Sequence, residues 1–149
     1  MFRKSIRPAL ERRLASLKHP QWVEAMTILI QYYSPVKFRW HDSGDMQNEQ
    51  HLEQILEAAA NLPNTKFWVS TKEEALAEIF FKNHMDRLAN MTLRVSSSMI
   101  GQAPLDYPLT CTSGYNEGVQ CPAHTQDNQC LDCEMCWDKT IKNINYKMH

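Results

Sequence analysis

"VKFRWHDSGDMQNEQHLEQILEAAANLPNTKFWVS", residues 36–70, holds the unit that decides the fold. "VKFRW" at 36–40 is a short strand, and "HDSGD" at 41–45 is a polar turn. In the following "NEQHLEQILEAAANL", Leu52, Ile55, Leu56 and Ala59 share one helical face. Pro63 and Asn64 then turn the chain into "KFWVS", an apolar strand at 66–70. The order is strand, polar turn, helix, strand.

The same alternation continues outward. "TKEEALAEIFF" at 71–81 opens with Thr71 and Glu74 in capping-box spacing, and "MTLRVSSS" at 91–98 is a third strand. "YPLTCTSG" at 107–114 is a fourth, after which the chain is polar, loop-like and rich in cysteine until "NINYKM" near the end. Upstream, "RPALERRLASL" places Ala9, Leu10 and Leu14 on one face, and "QWVEAMTILIQYY" does so with Trp22, Val23, Met26, Ile28 and Ile30. These are two helices broken at His19-Pro20. Strands alternating with helices of this length predict a parallel sheet with right-handed crossovers. The expected fold is α/β: a partial (β/α) barrel or open parallel sheet with a loop-rich, metal-binding C-terminal lobe. A chain of 149 residues suits one domain. We divide it into N-terminal helices at 1–34, a β/α core at 36–114 and a cysteine-rich lobe at 115–149.

A net charge of -1 with 43% apolar residues fits neither a strongly basic nucleic-acid binder nor a disordered acidic tail. The first 18 residues nonetheless hold Arg3, Lys4, Arg7, Arg12, Arg13 and Lys18 against Glu11, a local basic start that could meet nucleic-acid phosphates or simply face solvent. No apolar stretch has signal-peptide length, and none approaches the roughly 20 residues of a membrane span. The expectation is a cytoplasmic protein without a membrane partner. In that reducing compartment five cysteines, an odd number, point away from a disulfide framework and toward metal.

Each strand ends in small polar residues: His41-Asp42-Ser43-Gly44-Asp45, Ser70-Thr71, Ser96-Ser97-Ser98 and Thr112-Ser113-Gly114. In a parallel sheet such ends share one edge, where ligands bind, although the same residue types also serve as ordinary helix caps. In "HDSGD" Gly44 lets the backbone approach a ligand, Asp42 and Asp45 can accept hydrogen bonds from an amine or a hydroxyl, and His41 can shuttle a proton. The plainer alternative is a βα turn in which Asp45 or Asn48 caps the helix. Trp40, Trp68 and Trp137 could stack on a base, or sit in the core as strand aromatics do.

"CLDCEMCWD", residues 130–138, sets Cys130, Cys133 and Cys136 two residues apart from one another. Thiolates at this spacing can share one metal centre, and the run matches a ferredoxin-type loop around a 4Fe-4S iron-sulfur cluster. The fourth cysteine of that pattern precedes a proline, as Cys121 precedes Pro122, though here it lies upstream. The same four thiols would also satisfy tetrahedral zinc, and free or redox-sensing thiols are the third reading. Cys111, on a strand, reads as a buried reduced thiol; His124 and His149 read as solvated side chains or substitute ligands.

"FRWHDSGDMQNEQHLEQILEAAANLPNTKFWVSTK", with "CPAHTQDNQCLDCEMCW" and "YKMH" downstream, resembles the phage and bacterial proteins named after a mycobacteriophage gene product 88, from about Phe38 to His149. That family is in turn distantly similar to S-adenosylmethionine radical enzymes, whose partial barrel binds the methionyl amino group with a Gly-Gly-Glu motif after its second strand. The resemblance puts Ser43-Gly44-Asp45 in that place and lines the cofactor cleft with Ser70, Thr71 and Ser96 to Ser98. Those enzymes hold their catalytic cluster in a Cys-x3-Cys-x2-Cys loop after the first strand, and this chain has no cysteine before Cys111. Either a second polypeptide supplies the missing barrel elements, or they are lost, or the C-terminal cluster serves instead. As in the auxiliary clusters of such enzymes, it would be structural, relay an electron or bind substrate.

Overall fold

The computed structural model describes residues 3–41, 44–85 and 88–147. Helices α1 (Arg3–Ser16) and α2 (Trp22–Tyr33) precede β1 (Lys37–Arg39), α3 (Glu49–Asn61), β2 (Lys66–Thr71), α4 (Glu74–Asn83), β3 (Met91–Ser96) and β4 (Thr110–Ser113). A two-residue strand β5 (Val119–Gln120) and two short 3-10 turns, Pro122–Thr125 and Met135–Trp137, lead to β6 (Asn143–Tyr146). All pairings are parallel, in the order β1-β2-β3-β4-β6-β5, so the expected open parallel sheet is present as a curled half-barrel.

Strand periodicity sorts the side chains onto two faces. On the outer face Phe67, Val69, Met91, Leu93 and Val95 are buried with Leu52, Ile55 and Ala59 of α3 and Ala77 and Phe80 of α4. Asn48 caps α3 by accepting a hydrogen bond from the His51 amide at 2.9 Å, as one of the two sequence readings expected. On the inner face Trp68 and Ile144 form a second cluster with Cys136 of the lobe. The crossovers from β1 to β2 and from β2 to β3 are helical, whereas residues 121–142, which join β5 to β6, pack against that inner face. Gly118 precedes β5 at φ +94, and a Cβ there would meet the Asn143 side chain at 2.6 Å and its carbonyl at 3.2 Å, so glycine suits the close approach of this turn to β6.

Three local expectations are corrected. α4 begins at Glu74, so Thr71 and Glu74 form no capping box: Thr71 stays in β2, opposite Val95, and its hydroxyl accepts from the Glu73 amide at 3.0 Å. Ile28 does not share the buried side of α2 with Met26 and Ile30, since two residues turn a helix by roughly 200°, and it is 58% exposed. Leu10 and Leu14 of α1 are also half exposed.

Candidate functional site

The strand ends do gather at one edge. The Asp45 carboxylate, after β1, accepts from the Thr71 hydroxyl (2.6 Å) and the Lys72 amide (2.7 Å) after β2, and also from the Met46 amide (2.7 Å). The Ser97 amide donates to the Cys111 carbonyl at 2.9 Å, Gly101 to Ser113 at 2.8 Å, and Gly114 to Tyr146 at 2.8 Å. Asp45 is thus a clamp between the first two strand ends, with both carboxylate oxygens engaged.

The expected pocket residues part company beyond that edge. His41, Gly44 and Asp45 line a cavity of about 520 Å³ together with Trp22, Trp40 and His51. Ser70 and Thr71 do not line it: Thr71 points outward with Phe67 and Val69 and is held by Asp45, and Ser70, one residue earlier, takes the opposite face. Asp42 and Ser43 lie outside the described residues. Gly44 has φ +87 with open space where a Cβ would be, so its backbone conformation calls for glycine. His41 holds φ 56, a region non-glycine residues rarely occupy.

The cavity is aromatic at its centre, with Arg13 and Asp45 also in its wall. Trp22 stacks on Trp40 with centroids 6.0 Å apart, and its edge meets His51 at 5.5 Å. His41 lies 5.4 Å from His51. Burial, reinforced by the neighbouring His41, lowers the His51 pKa to about 4, and burial lowers His41 too, against the pull of Asp45. Both imidazoles are therefore neutral near pH 7. Trp40 Nε1 and His41 Nδ1 are buried without a hydrogen-bond partner.

The cysteine lobe docks on the other face, and the residue that anchors it escaped the sequence reading. Arg94 is fully buried, and all five of its N–H groups are spent on backbone carbonyls. Nε donates to Cys136 (3.1 Å), one terminal nitrogen to Ile141 (2.8 Å) and Thr110 (3.4 Å), the other to Asp138 (2.6 Å) and Met135 (3.2 Å). Among the described residues no carboxylate forms an ion pair with it. The signal was available: one arginine among "MTLRVS", at a strand position facing away from the apolar core. Lesser ties surround it. The Thr92 hydroxyl donates to the Trp137 carbonyl (2.9 Å), the Trp137 indole N–H to the Phe38 carbonyl (3.3 Å), and Lys66 pairs with Glu134 (2.7 Å). Trp137 meets Trp68 edge-on at 5.5 Å.

This docking brings some of the thiols together. Cys136 is buried beside Trp68 and Ile144, with Cys121 packed against the same cluster. The Cys136 sulfur is 3.3 Å from the Tyr146 hydroxyl. Burial, with Cys121 and Cys130 adding repulsion, raises the Cys136 pKa to about 11. Cys130 is exposed and Cys133 half-buried, and a turn closed by the Cys133 amide on the Cys130 carbonyl (2.8 Å) joins them, with Leu131 between at φ 45. Among the described residues no three His, Cys, Asp or Glu side chains are grouped to hold a metal ion. The donor chemistry suits a thiophilic metal, and Cys121 with Cys136 supplies a packed half of such a site. Cys111 lies apart in β4, buried as expected, its sulfur 3.1 Å from the Ser96 hydroxyl, and burial raises its pKa. The His124 ring stays local, 3.0 Å from the Cys121 carbonyl, and His149 is outside the described residues. Trp68 sits in the inner core cluster, whereas Trp40, although buried, also lines the cavity.

No helix of the described residues is long and apolar enough to cross a membrane. No curated protein and no solved structure matches the chain. A family model does match, over residues 2–107, beginning well before the stretch that carried the resemblance and ending short of every cysteine. By that match across most of its length, the chain belongs to the gene product 88 family.

Proposed function

We propose that this protein is a metal-thiolate protein: a β/α half-barrel that carries an iron-sulfur cluster, or else zinc, on Cys121, Cys130, Cys133 and Cys136 of the lobe docked on its inner face. The carrying observation is convergence. Cys121 and Cys136 pack in one cluster, and a single turn, closed by the Cys133 amide on the Cys130 carbonyl at 2.8 Å, joins the other two thiols. A bound cluster would supply electron transfer or an open iron to a substrate, and zinc would staple the lobe. Around it Tyr146 holds the Cys136 sulfur, and Trp68 and Ile144 keep water from it. Because Cys136 is held as a thiol near neutral pH, loading would release protons and strengthen as pH rises. Metal and sulfide analysis with a visible spectrum after anaerobic purification tests the reading. Brown protein with iron and acid-labile sulfide supports a cluster, and colourless protein with one zinc per chain supports the alternative. Protein that takes up neither metal on anaerobic reconstitution overturns both.

The aromatic cavity belongs to the same proposal as a small-molecule pocket at the end of β1. Its size and its mixed aromatic and polar lining suit a compact ligand. S-adenosylmethionine is the first molecule to test, by calorimetric titration with and without Trp40→Ala; heat of binding that the substitution leaves untouched sinks this assignment.

A second reading, a zinc-stabilised module that binds nucleic acid, rests on α1, where Arg12 and Arg13 are exposed and Arg7 pairs with Glu11 at 2.8 Å. It requires affinity for nucleic acid that falls steeply with salt and with charge reversal at Arg12 and Arg13.

A further inference from the structure

A guanidinium without a carboxylate is an unusual thing to bury, because an unpaired interior charge costs far more than the neutral hydrogen bonds around it return. Arg94 meets that cost with five carbonyls drawn from Thr110 and from the 135–141 segment. Carbonyl dipoles solvate the cation but leave its charge in place. The ionisable side chains in its electrostatic reach are Cys136, Tyr146, Cys111 and Asp138. Asp138 is exposed, its carboxylate accepting from the Thr140 amide and hydroxyl, so water screens it. Tyr146 and Cys111 are held in their neutral forms by burial. Cys136 is a buried thiol as well, but its own carbonyl is tied to Arg94 Nε at 3.1 Å, and a bound metal would turn its sulfur into an anion beside that fork.

The geometry points to Arg94 as the positioning residue and resident counter-charge of the thiol centre: its fork fixes the backbone that presents Cys136 to Cys121, and its charge offsets the thiolates that a metal would hold there. The inference rests on the metal-thiolate reading. It adds that the half-barrel takes part in the site through a residue of its own sheet, a cation rather than a ligand. Arg94 also falls inside the family-matched segment, whereas every cysteine falls outside it.

The test uses the full chain, reduced and metal-free, titrated anaerobically with cobalt(II), whose thiolate charge-transfer band reports coordination. Arg94→Lys keeps the charge, Arg94→Gln keeps polarity without charge, and Arg94→Met keeps bulk alone. Losing a partner that orients a ligand weakens metal binding by roughly 10–100-fold, and the Gln and Met variants should fall in that range while Lys stays closer to the parent. In the absence of metal, Cys136 should resist iodoacetamide in the parent and be modified at the rate of exposed Cys130 in Arg94→Met. Circular dichroism shows whether Met unfolds the chain, in which case Lys against Gln carries the comparison. Cobalt binding that Cys133→Ser abolishes but neither Gln nor Met weakens would overturn the counter-charge role and leave the metal reading standing. A parent that binds no cobalt would sink the metal reading and the counter-charge with it. Loss of Cys136 protection in Met would then uphold the positioning role, and retained protection would end that as well.

Discussion

Adjacent residues of β3 serve opposite faces by different physics. Met91, Leu93 and Val95 enter the apolar layer under α3 and α4, where stability scales with area removed from water. Thr92 and Arg94 point the other way and hold the lobe through its carbonyls, at Trp137, Cys136, Met135, Asp138 and Ile141. The outer face tolerates substitution by size and hydrophobicity. The inner face depends on direction, because each hydrogen bond returns little net energy while an orphaned partner costs its full desolvation. Helices cover one side as scaffold, and a segment with almost no regular structure is pinned to the other, where function can be carried without disturbing the core.

Substitutions of unequal size can break or sharpen that contrast. Leu93→Ala should cost about 2–5 kcal/mol of global stability in denaturant unfolding, with every probe shifting together. A cost under about 1 kcal/mol would deny the outer layer its role as the core. Asp45→Ala removes a charged acceptor from three donors and should cost about 2 kcal/mol. Because it unties β1 from β2, hydrogen exchange should rise first at Met46 and Lys72, whose amides donate to Asp45; exchange unchanged there would count against the clamp. Thr92→Val keeps shape and orphans the Trp137 carbonyl, so about 1 kcal/mol is expected. The loss should appear as faster proteolysis within 121–142 with little change in the global transition, and a global shift instead would merge the two faces into one unit. The smallest effect concerns pH, since the His51 ring borders the cavity, where water softens the cost of charging it. Its pKa falls from the usual 6.5 to about 4 on folding. The unfolded chain therefore binds a proton between those values that the folded chain refuses, and stability is full above 6.5 and drains as pH falls toward 4. The unfolding midpoint should drop between pH 7 and pH 5, and less so in His51→Gln; equal slopes would clear His51 of the effect.

What could be read from the sequence follows what is local. The helical stripe of Leu52, Ile55, Leu56 and Ala59, the strands "KFWVS" and "MTLRVSSS", and the parallel arrangement all rest on periodicities that neighbouring residues carry themselves. β5 is two residues long and forms only because β6 lies beside it, so no local signal marks it. The strand ends show a related limit: "ST" at 70–71 looks like one polar strand end, yet the pleat sends its two side chains to different faces. For the lobe, thiol spacing marked the residues, and nothing near them in sequence named Arg94, which stands 42 positions before Cys136. A charge inside an apolar strand is the only advance notice such a contact gives.

The place of β6, between β4 and β5 although it comes last in the chain, has a consequence in time. Contacts between distant positions close slowly, because loop entropy must be met before they return anything. The helix-covered strands can therefore assemble first, with β4 as a bare edge open to pairing with other chains. Arrival of β6 removes that edge, and the bonds from Arg94 to residues 135–141 tie the preceding segment down as it does so. An agent that stabilises the docked lobe, a metal included, would thus slow its undocking and lower the share of chains that expose the β4 edge.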